Sequence, residues 1–111
     1  MSIEWAASLE EALQKAEDER QMVLAYFRKE PCPQCEALGR DTLSDPDVQQ
    51  FIAKEFVPAR IYLNRRGEAR QFREYGVLWT PSIVVMDWRG RAHYQSPGYL
   101  PPQPFLSMLR I

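Results

Sequence analysis

Two cysteines and a single histidine are all the thiol and imidazole ligands that this sequence of 111 residues offers. A closed structural zinc site takes four ligands, so the usual residues cannot build one within a single chain. Neither cysteine is spare for a separate bridge, so the cysteine count does not decide between a reducing and an oxidising compartment. An excess of charge is also missing: a net charge of -1 gives no reason to expect nucleic acid or an anionic membrane surface as partner. Nor is there an apolar run long enough to span a bilayer, so no membrane insertion is expected. The first residues, Met1-Ser2-Ile3-Glu4-Trp5, lack the basic start and apolar stretch of an export signal, which gives a cytoplasmic expectation. A periplasmic location is the alternative, because a chain already trimmed of its signal would read the same. The length suits one domain, residues 1–111, with one core and no internal linker, expected as a monomer. Most basic residues are arginines in helical or turn stretches beside acids, as with Arg65, Arg66, Arg70 and Arg73, and read as a solvated face.

What is present is Cys32-Pro33-Gln34-Cys35, placed directly after the apolar run Met22-Val23-Leu24-Ala25-Tyr26-Phe27 and opening a segment with helical character. The first backbone N–H groups of a helix are unpaired and favour a thiolate over a thiol. A thiolate attacks disulfides, and a second thiol one turn away can then resolve the mixed disulfide. Half a zinc site has the same spacing but lacks its other ligands here. A purely structural bridge would close a very short loop and constrain the unfolded chain little.

The rest of the chain gives the element order. Ser8-Leu9-Glu10-Glu11 has the form of a capping box, and Leu9, Ala12, Leu13 and Ala16 carry a first helix to about Arg20. Met22 to Phe27, apolar without alternation, reads as a strand covered on both faces. A helix follows the cysteines to about Leu43, and another starts at Ser44-Asp45-Pro46-Asp47 with Val48, Phe51 and Ile52 inward. Phe56 to Leu63 alternates, with Val57, Ala59, Ile61 and Leu63 on one side and Arg60 and Tyr62 on the other. Asn64 to Gly67 turns, and a short helix spans about Glu68 to Tyr75. Ile83 to Met86 and Arg91 to Gln95, joined by Asp87-Trp88-Arg89-Gly90, read as a hairpin. A last helix, about Gln103 to Arg110, turns Phe105, Leu106 and Leu109 inward. This order predicts a three-layer α/β domain with a mixed sheet.

The order, the Cys-x-x-Cys after the first buried strand and Thr80-Pro81 just before the hairpin together resemble the thioredoxin superfamily over nearly the whole chain. The segment Pro31 to Val57, with Thr42-Leu43-Ser44-Asp45-Pro46-Asp47-Val48, is similar to small thioredoxin-like proteins related to bacterial disulfide reductase domains. The resemblance implies a thioredoxin fold: a central mixed sheet flanked by helices, with a C-terminal hairpin and helix. It also implies that Cys32 attacks, that Cys35 resolves, and that Pro81 is cis. Thr80-Pro81 would then belong to a groove that pairs an extended substrate by main-chain hydrogen bonds, with Gly98 and Tyr99 as further lining. Trp79 divides between groove and plain packing, and Trp5 and Trp88 are assigned to packing and turn surface.

The sequence departs from the family in two places. Pro31 stands where thioredoxins commonly carry a tryptophan, so the surface offered to partners differs. Tyr26 stands where they carry a buried carboxylate, and a phenol is a poor base at neutral pH. Arg60 matches the basic partner of that carboxylate, reaching either under the site or out to solvent. Glu30 and Glu36 flank the cysteines as candidate proton carriers, although beside a helix start a glutamate also simply suits the dipole. Pro33-Gln34 tunes the redox poise without adding charge, and His93 is given no role. The expected activity is thiol–disulfide exchange that reduces protein disulfides, with no bound cofactor and no metal. Electrons would come from a partner reductase or a membrane carrier. The rivals are a low-turnover binding or assembly module, a Cu(I) carrier using both thiolates, and the weaker case of peroxide reduction at Cys32.

Overall fold

In the computed structural model, which describes residues 2–65 and 67–110, the run Met22–Arg28 forms strand β1 at the middle of the molecule. Parallel β2 (Phe56–Tyr62) flanks it on one side and antiparallel β3 (Ser82–Met86) on the other, and β4 (Ala92–Pro97) closes the order β2-β1-β3-β4. The registers place Tyr26 opposite both Arg60 and Ile83. Alternate residues of β1 enter opposite layers, as a strand's two-residue period requires. Val23, Ala25 and Phe27 join Leu9, Ala12 and Ala16 of helix α1 (Leu9–Glu19) and Phe72 of helix α4 (Ala69–Glu74). Leu24 and Tyr26 join Val48 and Ile52 of helix α3 (Pro46–Glu55) and Phe105, Leu106 and Leu109 of helix α5 (Pro102–Leu109). The three layers, mixed sheet and thioredoxin fold expected from the sequence are all present.

Local signals set the helix starts. The Ser8 hydroxyl accepts from the Glu11 N–H at 3.1 Å, and Asp45 Oδ2 accepts from the N–H groups of Asp47 and Val48, both at 3.1 Å. Two expectations need correction. The helix after the cysteines is not one α-helix to Leu43: α2 covers Pro33–Ala37 and continues as a π-helical turn over Leu38–Thr42, closed by Leu43 N–H to the Leu38 carbonyl. This wider turn brings the Thr42 hydroxyl onto the Leu100 carbonyl ahead of α5. Leu63 does not point inward, because β2 ends at Tyr62 and the chain turns there. Tyr62 in turn is buried, with the guanidinium groups of Arg28 and Arg65 over its ring. The expected turn Asn64 to Gly67 includes Arg66, which lies outside the described residues.

Candidate functional site

The end of β1 delivers the cysteine pair. Cys32 occupies the cap position of α2 in extended conformation, and Pro33 sits in the first turn, where a missing N–H leaves no bond unmade. The Cys35 N–H donates to Cys32 Sγ at 3.1 Å, so an unpaired donor of the helix start points at that sulfur. The two sulfurs are bonded to each other, with Cα atoms 5.2 Å apart. Cys35 is fully buried, whereas Cys32, 3% exposed, forms part of the wall of two surface hollows. Cys32 therefore borders these hollows while Cys35 lies inside the protein.

Thr80 faces the pair from across the sheet end. Its Oγ1 lies 3.7 Å and its carbonyl oxygen 3.8 Å from Cys32 Sγ, and the Thr80–Pro81 peptide is cis, as the resemblance implies. The Glu30–Pro31 peptide is cis as well, which no sequence feature had suggested. Gly98, at φ +88°, donates its N–H to the Pro81 carbonyl at 2.7 Å, and this ties the end of β4 to the cis element. The Ser82 hydroxyl donates to the Trp79 carbonyl at 2.6 Å and holds the turn ahead of β3.

Beneath the pair, Tyr26 is buried and its hydroxyl donates to the Cys35 carbonyl at 3.2 Å. Burial pushes this phenol above its ordinary value, with Arg28 opposing. A hydroxyl so placed is a hydrogen-bond donor that positions Cys35 and not a base for its proton. Arg60 does not reach under the site. Its guanidinium lies over the Trp5 ring, 5.0 Å from the centroid, and Trp5 in turn tilts against Tyr26 at 5.8 Å. Trp5 is thus packing, as expected, but packing that links Arg60 to the phenol under Cys35.

The larger hollow beside Cys32, about 600 Å³, brings together Pro31, Pro33, Gln34, Trp79 and Thr80 from the expected set. A second hollow on the far side of Trp79 includes Gly98 and Ser82. Tyr99 lines neither, because its hydroxyl is held by Asp41 Oδ2 at 3.0 Å. Glu30 and Glu36 share the smaller hollow of Cys32 with Arg28. His93 stays apart, its Nε2 2.9 Å from Asp87 Oδ2 in the β3–β4 hairpin. Among the described residues, no three cysteine, histidine or acidic side chains gather as a metal cluster would, and no helix is long and apolar enough to cross a membrane.

Several wall residues escaped the sequence analysis: Lys29, Leu63, Phe72, Arg73, Val77 and Leu78 in the larger hollow, and Arg28 in the smaller. The Arg28 Nε is buried without a hydrogen-bond partner among the described residues, its guanidinium near the rings of Tyr26 and Tyr62. One signal was available, since Val77-Leu78-Trp79 is an apolar triplet just before Thr80-Pro81 that no predicted element claims.

The sequence profile of the thioredoxin-like domain matches residues 9–110. The chain is 29% identical over 82 residues to the thiol:disulfide interchange protein DsbD of Shigella boydii serotype 4 (strain Sb227), a match that takes in 71% of this chain and 14% of that protein. It therefore spans about one seventh of the length of that relative. A thioredoxin from Thermus thermophilus superimposes with a TM-score of 0.88 and 31% identity, covering 99% of this chain and 86% of that one. The oxidised C-terminal domain of Neisseria meningitidis DsbD matches in fold with a TM-score of 0.77 and 21% identity, covering 99% of this chain and 97% of that domain. Fold, cysteine pair and relatives together support thiol–disulfide oxidoreductase activity.

Proposed function

As the chain belongs to the thioredoxin-like domain family and is related to bacterial disulfide reductase domains, we propose that it reduces disulfides of partner proteins, with Cys32 as nucleophile and Cys35 as resolving thiol. The observation that carries this reading is the asymmetry of the pair: Cys32 at the wall of an open hollow with a helix-start N–H on its sulfur, Cys35 wholly enclosed.

In the reduced protein the Cys32 thiolate attacks one sulfur of the substrate disulfide, and that S–S bond breaks as the mixed disulfide forms. The departing thiolate takes a proton. Cys35 then loses its proton and attacks Cys32 Sγ, releasing the second substrate thiol and closing the Cys32–Cys35 bond. Two electrons have passed to the substrate, and a partner reductase or membrane electron carrier must return them. The Cys35 proton leaves for water or for the departing thiolate, because the elevated Tyr26 phenol is no acceptor at neutral pH. The Cys35 N–H on the sulfur favours the Cys32 thiolate.

The reduction potential of the pair tests this, measured by mass spectrometry in defined thiol buffers. A value near about -270 mV is expected of a reductase, whereas one near about -120 mV belongs to an oxidant and reverses the assigned direction. Absence of an intramolecular disulfide at every poise would overturn the redox reading. Cys32→Ser is expected to abolish turnover, and Cys35→Ser to accumulate a mixed disulfide through Cys32, visible as a dithiothreitol-sensitive mass increase.

A further inference from the structure

Three stretches distant in sequence meet beside Cys32: the loop after β1, the end of β2 at Leu63, and α4 with the turn that follows it. They leave apolar side chains in water. Leu78 is 95% exposed, Trp79 56% and Leu63 41%. Contiguous exposed apolar groups mark an interaction surface. Lys29 and Arg73 line the same hollow, and no acidic residue does. Across Cys32, the smaller hollow carries Glu30 and Glu36 with Arg28. The charge around the sulfur is therefore directional, cationic on the apolar side and mixed, with carboxylates outnumbering the one guanidinium, on the other.

We propose that this hollow selects disulfides in polypeptide segments that carry a bulky apolar side chain and a carboxylate beside the target cysteine, the apolar group covering Leu78 and Trp79 and the carboxylate facing Lys29 and Arg73. The proposal rests on the exchange reaction above. In each turnover the S–S bond of the peptide breaks, the Cys32–Cys35 bond forms, and two electrons and two protons pass to the peptide sulfurs.

The reduced protein is mixed with symmetric disulfides of three short peptides that contain Phe and Cys and differ only in a neighbouring Glu, Gln or Lys, and with bis(2-hydroxyethyl) disulfide. Acid-quenched mass spectrometry follows protein oxidation. Each rate is divided by that of dithiothreitol on the same disulfide, which removes the peptides' own differences in thiol reactivity. The expected order is Glu above Gln above Lys, with about a three- to tenfold span at low ionic strength for exposed charge pairs. The span closes toward unity at about 0.5 M salt. K29E/R73E is expected to invert the order, and exchanging Phe for Gly in the Glu peptide to slow it severalfold. Equal normalised rates in the wild type, or an order that survives K29E/R73E, overturn the inference. So does a wild-type dimer whose normalised rates fall as protein concentration rises, since a second copy then covers Leu78 and Trp79. If bis(2-hydroxyethyl) disulfide fails to oxidise the dithiol, the exchange reading itself fails; if it succeeds while the peptides show no discrimination, only the selectivity falls.

Discussion

The Tyr26 hydroxyl donates to the Cys35 carbonyl, a contact that bears on the position of Cys35 and not on its proton. Removing only that oxygen, by Tyr26→Phe, leaves the Cys35 carbonyl without this donor, and a typical net loss of about 0.5–1.5 kcal/mol is expected from urea unfolding. The pH profile of disulfide exchange should keep its shape, because the phenol is not the base; a profile that loses an ionisation in this variant would return Tyr26 to proton transfer. The cysteine pair was legible in the sequence because its meaning is local, and Thr80-Pro81 and Tyr26 were singled out only through the family resemblance. Arg28, Leu63 and Leu78 were not, since their roles arise only when separate segments converge. Arg60 was left open between the site and solvent for a related reason: it pairs in register with Tyr26, yet its exposed, flexible guanidinium lies on the Trp5 face.

The elements were legible to within a few residues wherever a cap or a period marked them, and least so where the chain changes helical pitch. The turn Leu38–Thr42 carries no pattern distinct from α-helix, and the contact it makes, Thr42 hydroxyl to the Leu100 carbonyl, lies 58 residues away in sequence. A legible cap has a measurable weight. Asp45→Ala strips α3 of the acceptor for two N–H groups and is expected to cost about 1 kcal/mol in urea unfolding. The hairpin between β3 and β4 depends on Asp87, whose Oδ1 accepts from the Arg89 and Arg91 N–H groups while Oδ2 meets Arg91 Nε and His93. These bonds, that of His93 foremost, hold its carboxyl well below the usual carboxylate range. A depressed folded value means the stabilisation is complete above the ordinary carboxylate pKa and lost as pH falls through the folded one. Asp87→Asn should therefore lower Tm at neutral pH, with the gap to wild type persisting below about pH 4 and closing only under strongly acid conditions. Calorimetry across that range checks it; a gap unaffected by acid would mean that the charge of Asp87 plays no part.

At the scale of the whole molecule, the two layers on either side of the sheet have different relations to the site. Phe72 of α4 meets Phe27 edge-to-face, with centroids 5.0 Å apart, and also lines the hollow beside Cys32. Leu106 of α5 is buried in the opposite layer and lines neither hollow of Cys32. Truncating either leaves a cavity, at about 3–5 kcal/mol for Phe72→Ala and about 2–5 kcal/mol for Leu106→Ala. Both are large against the roughly 5–15 kcal/mol that keeps a domain folded, so unfolding midpoints should fall comparably. Reactivity should not follow stability. At a temperature where both variants remain folded, Phe72→Ala is expected to lose most of the rate advantage of a Phe-bearing peptide disulfide over bis(2-hydroxyethyl) disulfide, while Leu106→Ala keeps it. The comparison isolates the wall from the fold because both variants share the cost of a cavity and only one alters the surface that a substrate meets. Equal loss in the two would show that the hollow responds to general loosening of the core, and equal retention would remove Phe72 from substrate contact.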